Sequence, residues 1–112
     1  MSYRNQVTIA VHEKDFEPIK NLLSPELLEL SDIYGTTDVK VFNFNWIKWD
    51  SDEYPEIIEI EDYISKTDAI FIRVGEDITD CEEFRYGNDM TLRTIIHLRR
   101  YVEINAEKEG DI

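Results

Sequence analysis

Val7, Ile9 and Val11 alternate with Gln6, Thr8 and His12, and this period of two predicts a half-buried strand at the start of the chain. Asp15 then stands as an N-cap for a short helix whose apolar positions Phe16, Ile19, Leu22 and Leu23 recur at helical spacing. Pro18 falls within its first turn, where a missing N–H does no harm. Ser24-Pro25 interrupts that helix. Glu26–Leu30 adds at most one further turn, and Ser31–Asp38 reads as a connection. From Val39 to Trp49 β-branched and aromatic residues dominate, with Phe42, Phe44 and Trp46 alternating with Asn43, Asn45 and Ile47. This predicts a second strand with Phe42, Phe44 and Trp46 in the core. Val41 beside Phe42 breaks the alternation, which calls for a bulge or for cover on both faces.

Pro55 suits a first helical position. Behind it Ile57, Ile60, Tyr63 and Ile64 form an inward stripe, and Glu56, Glu59 and Asp62 face out. Ala69–Val74 is a short strand ended by Gly75. Glu76–Asp89 reads as a polar excursion with a helical turn near Asp80–Phe84 and a tight turn at Gly87-Asn88. In Thr91–Ile104 the residues Leu92, Ile96, Leu98, Val102 and Ile104 share even positions. That parity favours a long strand over the competing helix through Leu92, Ile95, Ile96, Arg99 and Val102. Residues 105–112 are polar and expected to fray. The expected fold is therefore a single α+β domain over residues 1–112, ordered β-α-β-α-β-β, with a four-stranded mixed sheet carrying two helices on one face. Open sheet edges leave room for a homodimer.

Charge sharpens this picture. The chain of 112 residues has a formal net charge of −13. Between Asp50 and Asp89 fourteen acids face only Lys66, Arg73 and Arg85, so nearly all of the imbalance lies there. Such a charge disfavours direct binding of nucleic acid or anionic membrane and favours encounter with a basic partner. No apolar run is long enough to cross a bilayer, and the N-terminus lacks signal-peptide features, so a soluble cytoplasmic protein is expected. Cys81 is the only cysteine, which rules out an intramolecular disulfide and fits a reducing compartment. Its neighbours Asp80, Glu82 and Glu83 disfavour a reactive thiolate, and a packing role is the better reading.

Catalytic signatures are missing. Gly35, Gly75, Gly87 and Gly110 are too dispersed for a dinucleotide fingerprint or a phosphate loop. Asp50, Asp52 and Glu53 lack the glycine and the distal glutamate of a calcium loop. His12 and His97 stand without the spacing of a two-histidine phosphoesterase. No catalytic group, metal or cofactor is assigned.

The candidate partner-binding residues are the acids Asp52, Glu53, Glu56, Glu59, Asp62, Glu76, Asp77, Asp80, Glu82 and Glu83, with Trp49 and Tyr54 as exposed aromatic contacts. Carboxylates spaced along a rigid helix and loop imitate a phosphate backbone, which suits them to a basic nucleic-acid channel. The alternative is a small-nucleotide binder using Arg93, His97, Arg99 and Arg100 on the last strand, and a toxin-immunity protein is a third reading.

At Phe71-Ile72-Arg73-Val74-Gly75-Glu76-Asp77, continuing through Asp80 to Glu83, and at the Pro55–Ile64 helix, the chain resembles small uncharacterised proteins encoded by bacteriophages and prophages. In its properties it also looks like the small acidic phage inhibitors, a class that includes anti-restriction and anti-CRISPR proteins. The resemblance carries no active site. It implies a bacterial host cytoplasm and an inhibitor that blocks a host defence complex.

Overall fold

The computed structural model describes residues 5–76, 79–87, 92, 95–98 and 102–109. In chain order the elements are β1 (Asn5–His12), a 3-10 turn (Glu13–Asp15), α1 (Phe16–Leu22), α2 (Pro25–Leu30), β2 (Ser31–Gly35) and β3 (Val39–Ile47). There follow α3 (Glu56–Ser65), β4 (Ala69–Val74), β5 (Cys81–Tyr86), β6 (Ile96–Leu98), β7 (Val102–Ile104) and β8 (Glu107–Lys108). The α+β class is as expected, but the sheet has six strands, in the order β5-β4-β1-β3-β2-β8, and every pairing in it is antiparallel. Among the described residues it is neither four-stranded nor mixed, and three α-helices take the place of the expected two.

The sheet is covered on both faces. Ile19 of α1, Leu27 of α2, and Ile60 and Ile64 of α3 pack with Val7, Ile9, Val11, Phe42, Phe44 and Phe71, so all three helices share one face. On the other face Ala10, Val41, Ile70 and Ile72 meet Leu92, Ile96 and Val102, which come from the β6–β7 hairpin and the residues before it. Cover on both sides explains the neighbouring apolar pair Val41-Phe42, because the two side chains enter opposite cores. It also buries Thr8 and Asn43, polar positions of β1 and β3. They satisfy each other through a bond from the Thr8 hydroxyl to Asn43 Oδ1 at 2.8 Å, joined by Gln6 Nε2 at 3.0 Å.

Several expectations give way here. Where one long strand was expected over 91–104, Ile96–Leu98 and Val102–Ile104 pair antiparallel with each other, Ile96 facing Ile104 and Leu98 facing Val102. Ser31–Gly35, expected as a connection, is β2, with Ile33 buried. The helical turn near Asp80–Phe84 is the edge strand β5, paired with β4 along its length. Glu107–Lys108, in the segment expected to fray, pair with β2 as β8, and Glu109 forms an ion pair with Lys40.

The β1–β3 register slips by one residue between Asn5 and Val7, and the extra residue lies on β3 beside Trp46, whose φ is +53°. The bulge turns Trp46 outward to 59% exposure and returns Ile47 to the core, which overturns the core placement of Trp46.

Candidate acidic binding surface

Helix α3 is seated by Ile57, Ile60 and Ile64, and its ends are fixed by polar contacts to the α1–α2 layer. At its start the Glu56 carboxylate accepts the Ser24 N–H at 3.2 Å. Ser24 in turn caps α2 by accepting the Leu27 N–H, with Pro25 following it as the first helical residue. Hydrogen bonding to the Ser24 side chain holds the Glu56 carboxyl below its ordinary range against the opposing effect of burial, and backbone N–H donors at Glu56 and Ser24 add to the lowering. Near the helix end, Tyr63 Oη donates to Asp15 Oδ1 at 2.8 Å, and Thr67 Oγ1 donates to Asp15 Oδ2 at 3.0 Å. Asp15 makes no side-chain capping bond to α1 and instead clamps α3. The bond to Asp15 raises the Tyr63 hydroxyl above its ordinary pKa, and burial and the Asp15 charge act in the same direction.

This seating sorts the acids of α3. Glu59 and Asp62 are exposed, and Asp62 reaches Lys66 at 3.0 Å across one helical turn. Ile58, 63% exposed, stands beside them. It is a shared wall of two surface clefts of about 530 and 700 Å³, the larger also lined by Glu59 and Asp62. In the preceding turn Asp50 Oδ1 accepts the Asp52 N–H and the Asp50 carbonyl accepts the N–H groups of Glu53 and Tyr54, which leaves the side chains of Asp52 and Glu53 on the outside.

The acids around β5 have a different assignment. Arg73 of β4 donates to Asn5 Oδ1 at 2.9 Å, Asp80 Oδ1 at 2.8 Å and Glu82 Oε1 at 2.6 Å. The bond from Arg73 holds the Asp80 carboxyl below its ordinary range. Reciprocally, Asp80 first and Glu82 next push the guanidinium higher against the effect of burial. Gly75 permits this approach, because a Cβ at that position would lie 2.1 Å from an Asp80 oxygen. Glu83 pairs with Arg85 at 3.1 Å. Three of the predicted contact acids, Asp80, Glu82 and Glu83, are thus tied to the chain's own arginines. Glu76 is exposed at the end of β4, and Asp77 lies outside the described residues.

The aromatic contacts also change. Trp49 and Tyr54 are half-buried and pack against the helix-side core. Trp49 belongs to a row of rings, Phe44, Trp49, Phe71, Phe84 and Tyr86, with successive centroids 5.6, 6.0, 6.1 and 6.3 Å apart. Its Nε1–H donates to Glu61 Oε2 at 3.3 Å. Between α3 and β5 the rings of Trp49, Phe71, Phe84 and Tyr86 line a cleft of about 430 Å³, with Glu61, Glu82 and Arg73 at its polar edge. Burial, with the Glu61 charge second, raises the Tyr86 hydroxyl above its ordinary pKa. Glu61, Phe84 and Tyr86 escaped the sequence reading. The signal that marks the two rings is the alternation of Glu82, Phe84 and Tyr86 with Cys81, Glu83 and Arg85, once β5 is recognised as a strand.

Of the alternative ligand residues only His97 falls within the described residues. His97 lies in β6 opposite Glu103, whereas Arg93, Arg99 and Arg100 lie outside the described residues. Cys81 is exposed at the start of β5 and is not a packing residue. Among the described residues no group of three or more His, Cys, Asp or Glu side chains is arranged to hold a metal ion, and no helix is long and apolar enough to cross a membrane. No protein-family model, curated protein or solved structure matches the chain.

Proposed function

We propose that this chain is a non-catalytic binding protein that lays the outward face of α3 and the turn before it on a basic protein surface. The nucleic-acid-binding face of a host defence complex is the partner that fits the acidic character and the phage resemblance. The observation that carries this reading is the pairing of exposed carboxylates at Asp52, Glu53, Glu59 and Asp62 with an exposed aliphatic side chain at Ile58. Asp62 keeps most of its reach toward a partner, since an ion pair as exposed as Asp62–Lys66 contributes little. Acids around an apolar anchor supply both steering and a desolvated contact. The helix is clamped at both ends by Glu56 and Asp15, so its carboxylates are presented at fixed spacing and binding orders few side chains. Inhibition would follow from occupation of the basic site, with no bond made or broken.

The test is affinity capture from bacterial lysate at low and then high salt, with the parent protein and with Glu59→Lys/Asp62→Lys. The parent should retain a basic nucleic-acid-handling protein that salt releases, and the double variant should lose it. Equal capture by both proteins would refute the reading.

A further inference from the structure

We propose that the aromatic cleft between α3 and β5 receives the guanidinium of a single arginine side chain from the basic partner. This inference rests on the reading of α3 as the partner-facing helix and adds the site that an individual side chain would enter. Trp49, Phe71, Phe84 and Tyr86 form its wall, with the Phe71 ring tilted by 47° to Trp49 and by 43° to Phe84. Phe84 is 43% exposed, so ring surface is left uncovered there. A cation is drawn to the faces of such rings, and a flat guanidinium stacks on them where an ammonium cannot.

The charge at the opening favours the same ligand. Glu61 lies on the α3 side, and among the described residues its carboxylate accepts one hydrogen bond, from the Trp49 indole, which leaves acceptor capacity for a forked donor. Among the described residues Arg73 is the one cation lining the cleft, and it is bound to both Asp80 and Glu82, so the pairs around it carry net negative charge. Glu61 is exposed at the opening, where its charge attracts an arginine and repels an anionic ligand. The cleft volume of about 430 Å³ lies within the range of sites that enclose a small group. Glu61 and Trp49 also line the cleft bordered by Ile58, which in turn walls the cleft lined by Glu59 and Asp62, so a partner spanning the exposed side of α3 reaches both sites.

The experiment uses full-length protein carrying Trp46→Phe, which leaves Trp49 as the only tryptophan. N-acetyl-arginine amide is titrated at constant ionic strength while the Trp49 indole N–H resonance is followed, with N-acetyl-glutamine amide as the neutral control. The expected result is a saturable shift with the arginine amide alone, at a Kd on the order of millimolar. Glu61→Gln and Phe84→Ala should each weaken it by about fivefold or more. Absence of a saturable shift, an equal response to the glutamine amide, or undiminished affinity in both variants would overturn the proposal. Glu59→Lys/Asp62→Lys should leave this titration unchanged while abolishing partner capture, so failure of the cleft and failure of the acidic helix give different results.

Discussion

The clamp between Asp15 and α3 offers a direct test of how the acidic helix is held. Asp15 is 6% exposed, and its two oxygens are met by two hydroxyl donors, Tyr63 at 2.8 Å and Thr67 at 3.0 Å. Tyr63→Phe removes one donor and leaves the ring in place, so the loss is that of one hydrogen bond to a charged group. Such bonds contribute about 1.5–3 kcal/mol, and the half-buried position of Tyr63 lets water replace part of it, which puts the loss near about 1.5 kcal/mol. In a domain of this size that lowers the melting midpoint by roughly 6–10 °C. Urea unfolding followed by circular dichroism would measure it. The pH dependence supplies a second readout. The folded-state pKa of Tyr63 is raised by its bond to Asp15, so above the ordinary value of 10.0 the folded protein retains a proton that the unfolded chain has released. The stability from this bond is therefore complete below pH 10.0 and is lost as pH rises through the raised value. The difference between the parent and Tyr63→Phe should shrink over that interval. A difference below about 0.3 kcal/mol at neutral pH would refute the clamp as a stabilising contact.

Two further perturbations probe the Arg73 cluster and the β3 bulge. Arg73→Met keeps the aliphatic stem but leaves Asp80, Glu82 and Asn5 without their shared donor; the melting midpoint should fall, amide protection should be lost first in β5, and the Asp80 carboxyl should titrate nearer its ordinary value of 3.8. Unchanged Asp80 titration by NMR would show that Arg73 is not what lowers it. Trp46→Gly relieves a positive φ of 53° at an exposed bulge and should exceed Trp46→Val in stability by about 1–2 kcal/mol, as read from chemical denaturation. The reverse order would mean that the bulge does not persist in solution.

The elements with strong, uninterrupted periodicity were legible from the sequence: β1, β3, α3 and β4 lie where the alternation and the isoleucine stripe put them. The hairpin was not, for a geometric reason. In the β6–β7 pairing Ile96 faces Ile104 and Leu98 faces Val102, so even positions stay on one face through the reversal, and a period-two pattern reads the same with or without the turn. Arg99-Arg100-Tyr101 holds no glycine or proline to mark it. Strand β5 was hidden because an edge strand carries charges in place of apolar residues, and Cys81-Glu82-Glu83-Phe84-Arg85-Tyr86 resembles a polar loop until its alternation is given weight. Trp46 was misplaced because a single inserted residue inverts everything after it in the alternation, and no local residue preference announces a bulge at tryptophan. The acidic stretch was legible as composition, but which acids face outward depended on donors on other elements, such as Ser24 for Glu56 and Arg73 for the β5 edge.

That division of the acids changes what a large negative charge means here. Glu56 holds the backbone of the residue that caps α2, Glu61 holds an indole, Asp80 and Glu82 share one arginine, and Glu83 has another. These carboxylates have folding roles, and their number would be explained without any partner. Asp52, Glu53 and Glu59 have no such donor among the described hydrogen bonds, and Asp62 has only an exposed lysine on its own helix. Like charges placed close together on α3 and its leading turn destabilise the fold through repulsion, and among the described ion pairs only Lys66, at the C-cap of α3, and Lys48, beside Asp50, offset them. Negative charge at the first turn of α3 is favoured by the helix dipole, which accounts for Glu56 and Glu59 but not for Asp62 near the other end. Asp62 beside exposed Ile58 is therefore the feature that folding alone explains least, and charge at that position is where binding to a basic surface and stability of the isolated domain pull in opposite directions.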